Sequence, residues 1–227
     1  MYTQCLPGGP PMSASTTPAA VSVAASAAPA GGSADRLRLA VIVGSTRGGR
    51  FGPTVATWLS GIAAERDDLD VDVVDLVATP LPSAMPGYGQ APDPADAALM
   101  AAVTPRLAAA DAFVVVTPEY NHSYPAALKN LIDLHFAEWQ AKPVGFVAYG
   151  GLSGGLRAVE HLRQVFAELH AVTVRETVSF HGAAATFDGP EPRDAESCGK
   201  AARTLLDQVV WWARALRDAK AVRPYGS

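Results

Sequence analysis

Ala112-Phe113-Val114-Val115-Val116, followed by Thr117-Pro118-Glu119-Tyr120-Asn121-His122-Ser123, is the stretch on which the fold turns. Its first five residues are an apolar run of strand length with three consecutive valines, the pattern of a strand buried on both faces in a parallel sheet. Ser123 can then cap a helix, Pro125 fits a first turn, and Leu128, Leu131, Ile132 and His135 recur at helical spacing. The polar heptapeptide therefore sits on a strand-to-helix loop. In open α/β sheets such loops line the crevice beyond the carboxyl ends of the strands, where ligands bind, so residues 117–123 are the first candidate active site.

Upstream, residues 37–44 form a short apolar run stopped by Gly44, which reads as the first strand. Ser45, Thr46, Arg47, Gly48, Gly49, Arg50, Phe51 and Gly52 follow, then Pro53, Thr54 and a helix carrying Val55, Ala56, Leu59, Ile62 and Ala63. A strand, a loop of hydroxyls and glycines, then a helix is an anion site: amides at the helix start point outward and arginine can fork onto phosphate oxygens. The ligand should carry a phosphate. No lysine stands where a P-loop needs one, and Thr46 occupies the middle glycine position of a dinucleotide fingerprint. That second reading keeps one support, Asp75 at the end of the strand 71–75, where a ribose-binding acid would stand; the alternative for Asp75 is a strand-end or turn residue.

Residues 81–94 are rich in proline and glycine and hold Met85, Tyr88 and Gln90, which marks a long loop, and residues 95–110 read as one helix. Downstream, a fourth strand at 144–149 precedes Gly150, Gly151, Leu152, Ser153, Gly154 and Gly155, whose glycines permit close backbone approach to a flat ligand edge. Ser153 is a candidate cap for the helix carrying Leu156, Val159, Leu162, Phe166 and Leu169. A fifth strand at 171–178 and a closing helix at 195–219 complete the chain. Five strands alternating with five helices predict a flavodoxin-like, doubly wound α/β fold: a five-stranded parallel sheet in a three-layer α/β/α arrangement.

The 227 residues are 49% hydrophobic, enough for one such domain at 36–220. Residues 1–35 are dominated by Ala, Pro, Ser, Gly and Thr, with no charge before Asp35, and are expected to be a disordered tail; a signal peptide would want basic residues ahead of its apolar segment. Residues 221–227 read as a C-terminal tail. A net charge of −4 with mixed signs suggests neither a nucleic-acid groove nor a membrane patch, and the apolar stretches are too short to span a bilayer. Cys5 and Cys198 stand far apart with no zinc spacing, so neither disulfides nor a metal site are expected, and the protein is placed in the cytoplasm.

Three loops taken together, Gly44-Ser45-Thr46-Arg47, Pro118-Glu119-Tyr120-Asn121-His122-Ser123 and Gly150-Gly151 with Ser153-Gly154-Gly155, resemble the NADPH-dependent FMN reductase family, with Lys129-Asn130 and Asp133 behind the central motif. That family includes quinone, azo and chromate reductases. The resemblance covers about residues 37–216 and implies that the first loop holds the FMN phosphate. Ser45 and Arg47 are the closest matches, with Arg50 and the backbone of Phe51, Gly52, Pro53 and Thr54 completing that site. It also implies that Pro118, Glu119, Tyr120 and Asn121 lie along the isoalloxazine, and that Gly150, Gly151 and Ser153 meet its pyrimidine edge. At 82–88 the chain departs from the family pattern, with Ser83, Ala84 and Met85 where an acidic residue is expected, which bears on substrate choice.

The implied function is an oxidoreductase moving hydride from NADPH or NADH through FMN to a quinone-like, azo, flavin or metal-ion acceptor. The alternative is a flavodoxin-like electron carrier without its own NAD(P)H oxidation. Such chemistry needs alignment more than a titrating side chain, so no catalytic residue is assigned; Glu119 and His122 are read as positional. Asn121 should fix its loop through its side-chain amide. His161 and His170 read as solvated or packed, and Trp58, Trp139, Trp211 and Trp212 as core or subunit-contact residues. A homodimer or homotetramer is expected, with the helix from Tyr124 and the segment 136–139 at the contact.

Overall fold

Apolar residues alternate between two cores along the central strands, which is why the sequence shows unbroken runs and no simple period of two. In residues 37–43, Leu37, Leu39, Val41 and Val43 enter one core, and Ala40 and Ile42 enter the other. In residues 112–118, Ala112, Val114 and Val116 join the first, Phe113 and Val115 the second. The structure, a computed structural model, describes residues 3–5 and 36–226. In chain order the strands are β1 (Thr3–Cys5), β2 (Leu37–Val43), β3 (Leu69–Asp75), β4 (Ala112–Pro118), β5 (Pro143–Gly150), β6 (Val172–His181), β7 (Phe187–Asp188) and β8 (Glu191–Pro192). The helices are α1 (Gly52–Ala64), α2 (Pro94–Ala101), α3 (Thr104–Ala109), α4 (Ala126–Asp133), α5 (Leu156–Glu168), α6 (Ala183–Thr186) and α7 (Ala195–Val222).

One sheet runs β1-β6-β5-β4-β2-β3 with every described pair parallel, and β7 and β8 form a small antiparallel hairpin. Helices α1 and α7 cover the first core and α3, α4 and α5 the second, giving three layers. The order β3-β2-β4-β5-β6 is the flavodoxin-like order, and β1 is an addition to it. From β2 the chain winds through α1 to β3 on one side, then returns through α2 and α3 to β4 on the other side of β2. The strand order therefore reverses between β2 and β4, and the ligand crevice of such a sheet lies beyond their carboxyl ends.

Several elements depart from the sequence reading. Within the tail expected to lack structure, Thr3–Cys5 pairs in register with Val178, Ser179 and Phe180 of β6; the rest of that tail lies outside the described residues. The open edge of β6 offers unpaired main-chain groups to any short extended segment, so composition alone does not report such a strand. The helix expected at 95–110 is broken between Ala101 and Thr104, because Pro105 donates no N–H and its ring would collide with the carbonyl of Ala101. Helix α4 begins at Ala126, with Pro125 at its N-cap and no capping hydroxyl from Ser123. Helix α7 continues to Val222, and beyond it the Tyr225 hydroxyl meets His170 Nδ1 at 3.0 Å, so the C-terminal segment docks on the domain. Cys198 is disulfide-bonded, contrary to expectation, since spacing along a chain says nothing of proximity in the fold. Among the described residues no helix is long and apolar enough to cross a membrane.

Candidate active site

The loop after β2 separates residues that face inward from residues that face out. Ser45 is fully buried, and its Oγ accepts a hydrogen bond from the Tyr149 hydroxyl at 3.1 Å. Gly52 is required beside them: a Cβ there would lie 2.6 Å from Ser45 Oγ and 2.9 Å from the Tyr149 oxygen. Phe51 packs edge-on against Tyr149 and Phe187, with ring centroids at 5.7 Å and 5.0 Å. Arg50 donates to the Ser45 carbonyl at 3.0 Å and forks onto Asp75, so its guanidinium holds the loop to β3. Pro53 lacks an N–H and Thr54 N–H bonds Phe51 O at 3.1 Å, which leaves few donors at the start of α1. The outward donors belong to the loop instead: Thr46, Arg47, Gly48 and Gly49 are exposed, and Arg47 has no hydrogen-bond or ion-pair partner among the described residues.

Beyond β4, Thr117 and Pro118 are buried and the chain turns sharply. Tyr120 and Ser123 exchange backbone hydrogen bonds at 2.8 and 3.0 Å, with Asn121 at φ 48° and His122 at φ 69°, the signature of a type I′ turn. Asn121 thus serves the loop through a left-handed backbone, which asparagine tolerates. Ser123 Oγ meets His161 Nδ1 at 3.0 Å, so His161, exposed near the middle of α5, ties this turn to that helix. Glu119 reaches from this loop to the next helix: its carboxylate accepts from Arg157 N at 3.1 Å and Arg157 Nη1 at 3.0 Å, and from the Ser153 side chain. Burial pushes the Glu119 pKa up, but the bonds from Ser153 and Arg157 outweigh it and hold the carboxyl below its ordinary value. Gly155, the N-cap of α5 at φ 87°, has no side chain to cap with, so Glu119 supplies from another loop the cap that the sequence reading assigned to Ser153.

The loop after β5 is held from behind by β6. Ser179 Oγ donates to Gly154 O, His181 Nδ1 bonds Leu152 O and Gly182 N donates to Gly151 O, each at 2.9 Å, while Leu156 N donates to Ser153 O at 3.1 Å. A carbonyl only accepts, so His181 carries its proton on Nδ1. Three of these carbonyls are thereby tied to β6 and the residue after it and the fourth to the start of α5, while the amides of Leu152, Ser153 and Gly154 have no acceptor among the described residues. The array suits a ligand edge rich in acceptor atoms. Gly154 and Gly155 fit where no other residue could: a Cβ would come within 2.4 Å of Ser179 Oγ at one and 2.7 Å of Ala148 Cβ at the other.

All three motif loops thus converge at the carboxyl ends of β2, β4 and β5. Of the sequence candidates, Arg47, Tyr120, Asn121, Gly150, Gly151 and Ser153 are at least partly exposed there; Ser45, Gly52 and Pro118 are buried beneath, and Pro53 and Thr54 are half-buried at the head of α1. Sequence reasoning did not assign roles at the site to Thr46, Tyr149, Arg157, Ser179 or His181. Thr46 was legible as an exposed hydroxyl in the phosphate loop; the others act on partners 25 to 104 residues away, with no local pattern to mark them. Asn130 Nδ2 donates to Pro82 O at 2.7 Å, pinning one end of the long loop that carries exposed Met85 and Tyr88.

A family model described as NADPH-dependent FMN reductase matches residues 37–185. An NAD(P)H-dependent FMN reductase of Schizosaccharomyces pombe is 41% identical over 120 residues, which is 52% of this chain and 60% of that protein. A 2-hydroxy-1,4-benzoquinone reductase of a Burkholderia species is 30% identical over 191 residues, covering 78% of this chain and 97% of its own length. In fold, the chain is similar to the solved structure of FerB, a flavoenzyme NAD(P)H:(acceptor) oxidoreductase of Paracoccus denitrificans, with TM-score 0.61 and 24% identity over 78% of this chain and 98% of that one.

Proposed function

The chain belongs to the NADPH-dependent FMN reductase family, and from that premise we propose that it is an FMN-containing oxidoreductase that oxidises NADPH or NADH and reduces a small acceptor such as a quinone or azo compound. One observation supports the reading: the exposed residues 46–49, the turn at 120–123 and the glycine loop from Gly151 follow β2, β4 and β5 at the same end of one parallel sheet, beside its strand-order reversal. These residues fit a flat ring with a phosphate-bearing tail. Arg47, Thr46 and the loop amides would hold the phosphate, and Gly150 and Gly151 of the third loop leave the backbone free to approach a ring edge.

FMN held there would supply the two-electron redox chemistry that links nicotinamide to acceptor. The chain's own residues bind and orient. Glu119 locks the second loop to α5, His181 and Ser179 aim the third loop's amides, and Arg50 with Asp75 fixes the first loop to the sheet. The benzoquinone reductase among the relatives supports a quinone-like acceptor. Association into a homodimer or homotetramer accompanies this reading, with exposed Phe136 available for the contact; Trp139, expected there from sequence, is fully buried in the second core. Light scattering at micromolar concentration tests the assembly.

The purified protein should show a flavin absorption spectrum, and anaerobic NADPH should bleach it in one two-electron step. A colourless protein that takes up no FMN sinks the proposal; a bleaching that requires one-electron donors favours the carrier reading. Steady-state lines should be parallel, because a nicotinamide and a flat acceptor would compete for one open face, and intersecting lines would mean two sites.

A further inference from the structure

We propose that Tyr149 is the positioning residue of the phosphate-holding loop, its hydroxyl fixing both ends of that loop and thereby setting the preference for phosphorylated over unphosphorylated flavin; this rests on the FMN reading above. Tyr149 lies near the end of β5 and is 5% exposed. Strand β4 separates β5 from β2, so the side chain crosses beneath the loop that leaves β2. Its hydroxyl donates to Ser45 Oγ at the loop's first residue and lies against Gly52 at the loop's last, where a Cβ would come within 2.9 Å of it. A single oxygen thus meets residues 45 and 52, while the exposed residues between them, Thr46 to Gly49, carry the outward donors.

Ser45 itself is fully buried and cannot reach a ligand as it stands, so its hydroxyl works inward, as the acceptor for Tyr149. Tyr149 also joins the other two loops. Its carbonyl accepts from Glu119 N at 3.2 Å, and its N and O lie 2.9 and 3.1 Å from where a Gly155 side chain would begin. The spacing between phosphate donors and ring-edge amides therefore passes through this residue. Burial raises the phenol's pKa, so it remains a donor throughout the working range.

Tyr149→Phe keeps the edge-on packing against Phe51 and removes only the oxygen that Ser45 Oγ and Gly52 both meet. The test is a flavin-fluorescence titration of full-length protein, freed of flavin and refilled, with FMN and with riboflavin. FMN affinity should fall about three- to tenfold, the scale of one lost hydrogen bond, and riboflavin affinity by less than about twofold. Ser45→Ala removes the same bond from the other side and should give the same change in the FMN-to-riboflavin ratio; the double variant should add little to either single, because both remove one interaction. If Tyr149→Phe fails to fold, Ser45→Ala alone decides. Wild-type protein that binds FMN, with variants whose ratio is unchanged or that weaken both ligands alike, overturns this inference and leaves the proposed function standing. Wild-type protein that binds neither ligand overturns the proposed function itself.

Discussion

Arg50 donates to Asp75 through both terminal nitrogens, Nη1 to Oδ1 at 2.5 Å and Nη2 to Oδ2 at 2.7 Å, with the two side chains only 17% and 13% exposed. The pair answers two questions that the sequence left open. Asp75, also an acceptor for Val77 N at 3.0 Å, is a strand-end residue committed to Arg50 and its own turn. Arg50, one of two arginines in the first loop, has its planar fork filled by a carboxylate, which leaves Arg47 as the loop's free cation. Removing one partner of a largely buried pair leaves the other charge uncompensated, so Arg50→Ala should cost about 1–3 kcal/mol of stability. Arg50→Met with Asp75→Leu should recover most of it. Urea unfolding of the three variants measures this, and an Arg50→Ala protein as stable as wild type would show the pair to be ornamental.

Arg47→Ala should weaken FMN by about ten- to a hundredfold, the equivalent of roughly 1.5–3 kcal/mol for charge-assisted bonds, with riboflavin scarcely affected. Arg47→Lys should restore only part of the affinity, because a point charge cannot reproduce the fork. Equal weakening of both flavins would place Arg47 at the ring or in the fold.

Glu119→Gln tests the cap that one loop provides for α5. With its pKa held below the ordinary 4.5, the carboxylate contributes stability that is fully present above that value and lost as pH falls through the folded pKa. The variant should be about 1.5–3 kcal/mol less stable than wild type near neutral pH, with the gap closing in acid as the pH falls below 4.5 and through the folded pKa. Denaturant titrations at neutral and acid pH check the sign; a gap that persists in acid would mean that shape, not charge, is what Glu119 provides.

Lys142, at the other end of the sheet, gives a dependence of the same sign in the alkaline range, because there the fold sheds a buried charge. Its Nζ donates to Leu107 O and Ala108 O at 2.9 Å and lies over the Phe113 ring at 5.5 Å. Burial, with a further push from Lys220 against the pull of Asp111 and Glu138, lowers its pKa from 10.5 to about 8. Below about 8 both folded and unfolded chains hold the proton and the fold bears a buried charge; between about 8 and 10.5 the unfolded chain binds it more tightly, so folding gains as pH rises. The neutral amine still has hydrogens for both carbonyls. Relative to Lys142→Met, wild type should therefore gain on the order of 3 kcal/mol across that window. A flat difference in unfolding free energy across the same range would contradict the buried charge.

Much of the fold was legible because its signals are local. The valine run at 114–116, the glycine stop at 44 and the helical spacing behind each loop are relations between near neighbours, and they sufficed for the element order and the flavodoxin-like class. The same holds for the loop chemistry, since hydroxyls, glycines and arginines in a row mark anion recognition wherever the chain carries them. The break before Pro105 was equally local, although the apolar spacing of 95–110 hid it.

The sequence by itself determined which loops would meet at the carboxyl ends of the strands; only the tertiary structure decided which of their side chains face the crevice. Ser45 and Arg47 are two residues apart and equally polar, yet one is sealed beneath the loop by Tyr149, 104 residues away, and the other stands in solvent. Glu119 found Arg157, 38 residues on, and Thr3–Cys5 found the edge of β6. Such pairings depend on strand register and loop conformation, which are set by the packing of the whole sheet, and a linear pattern carries no record of them.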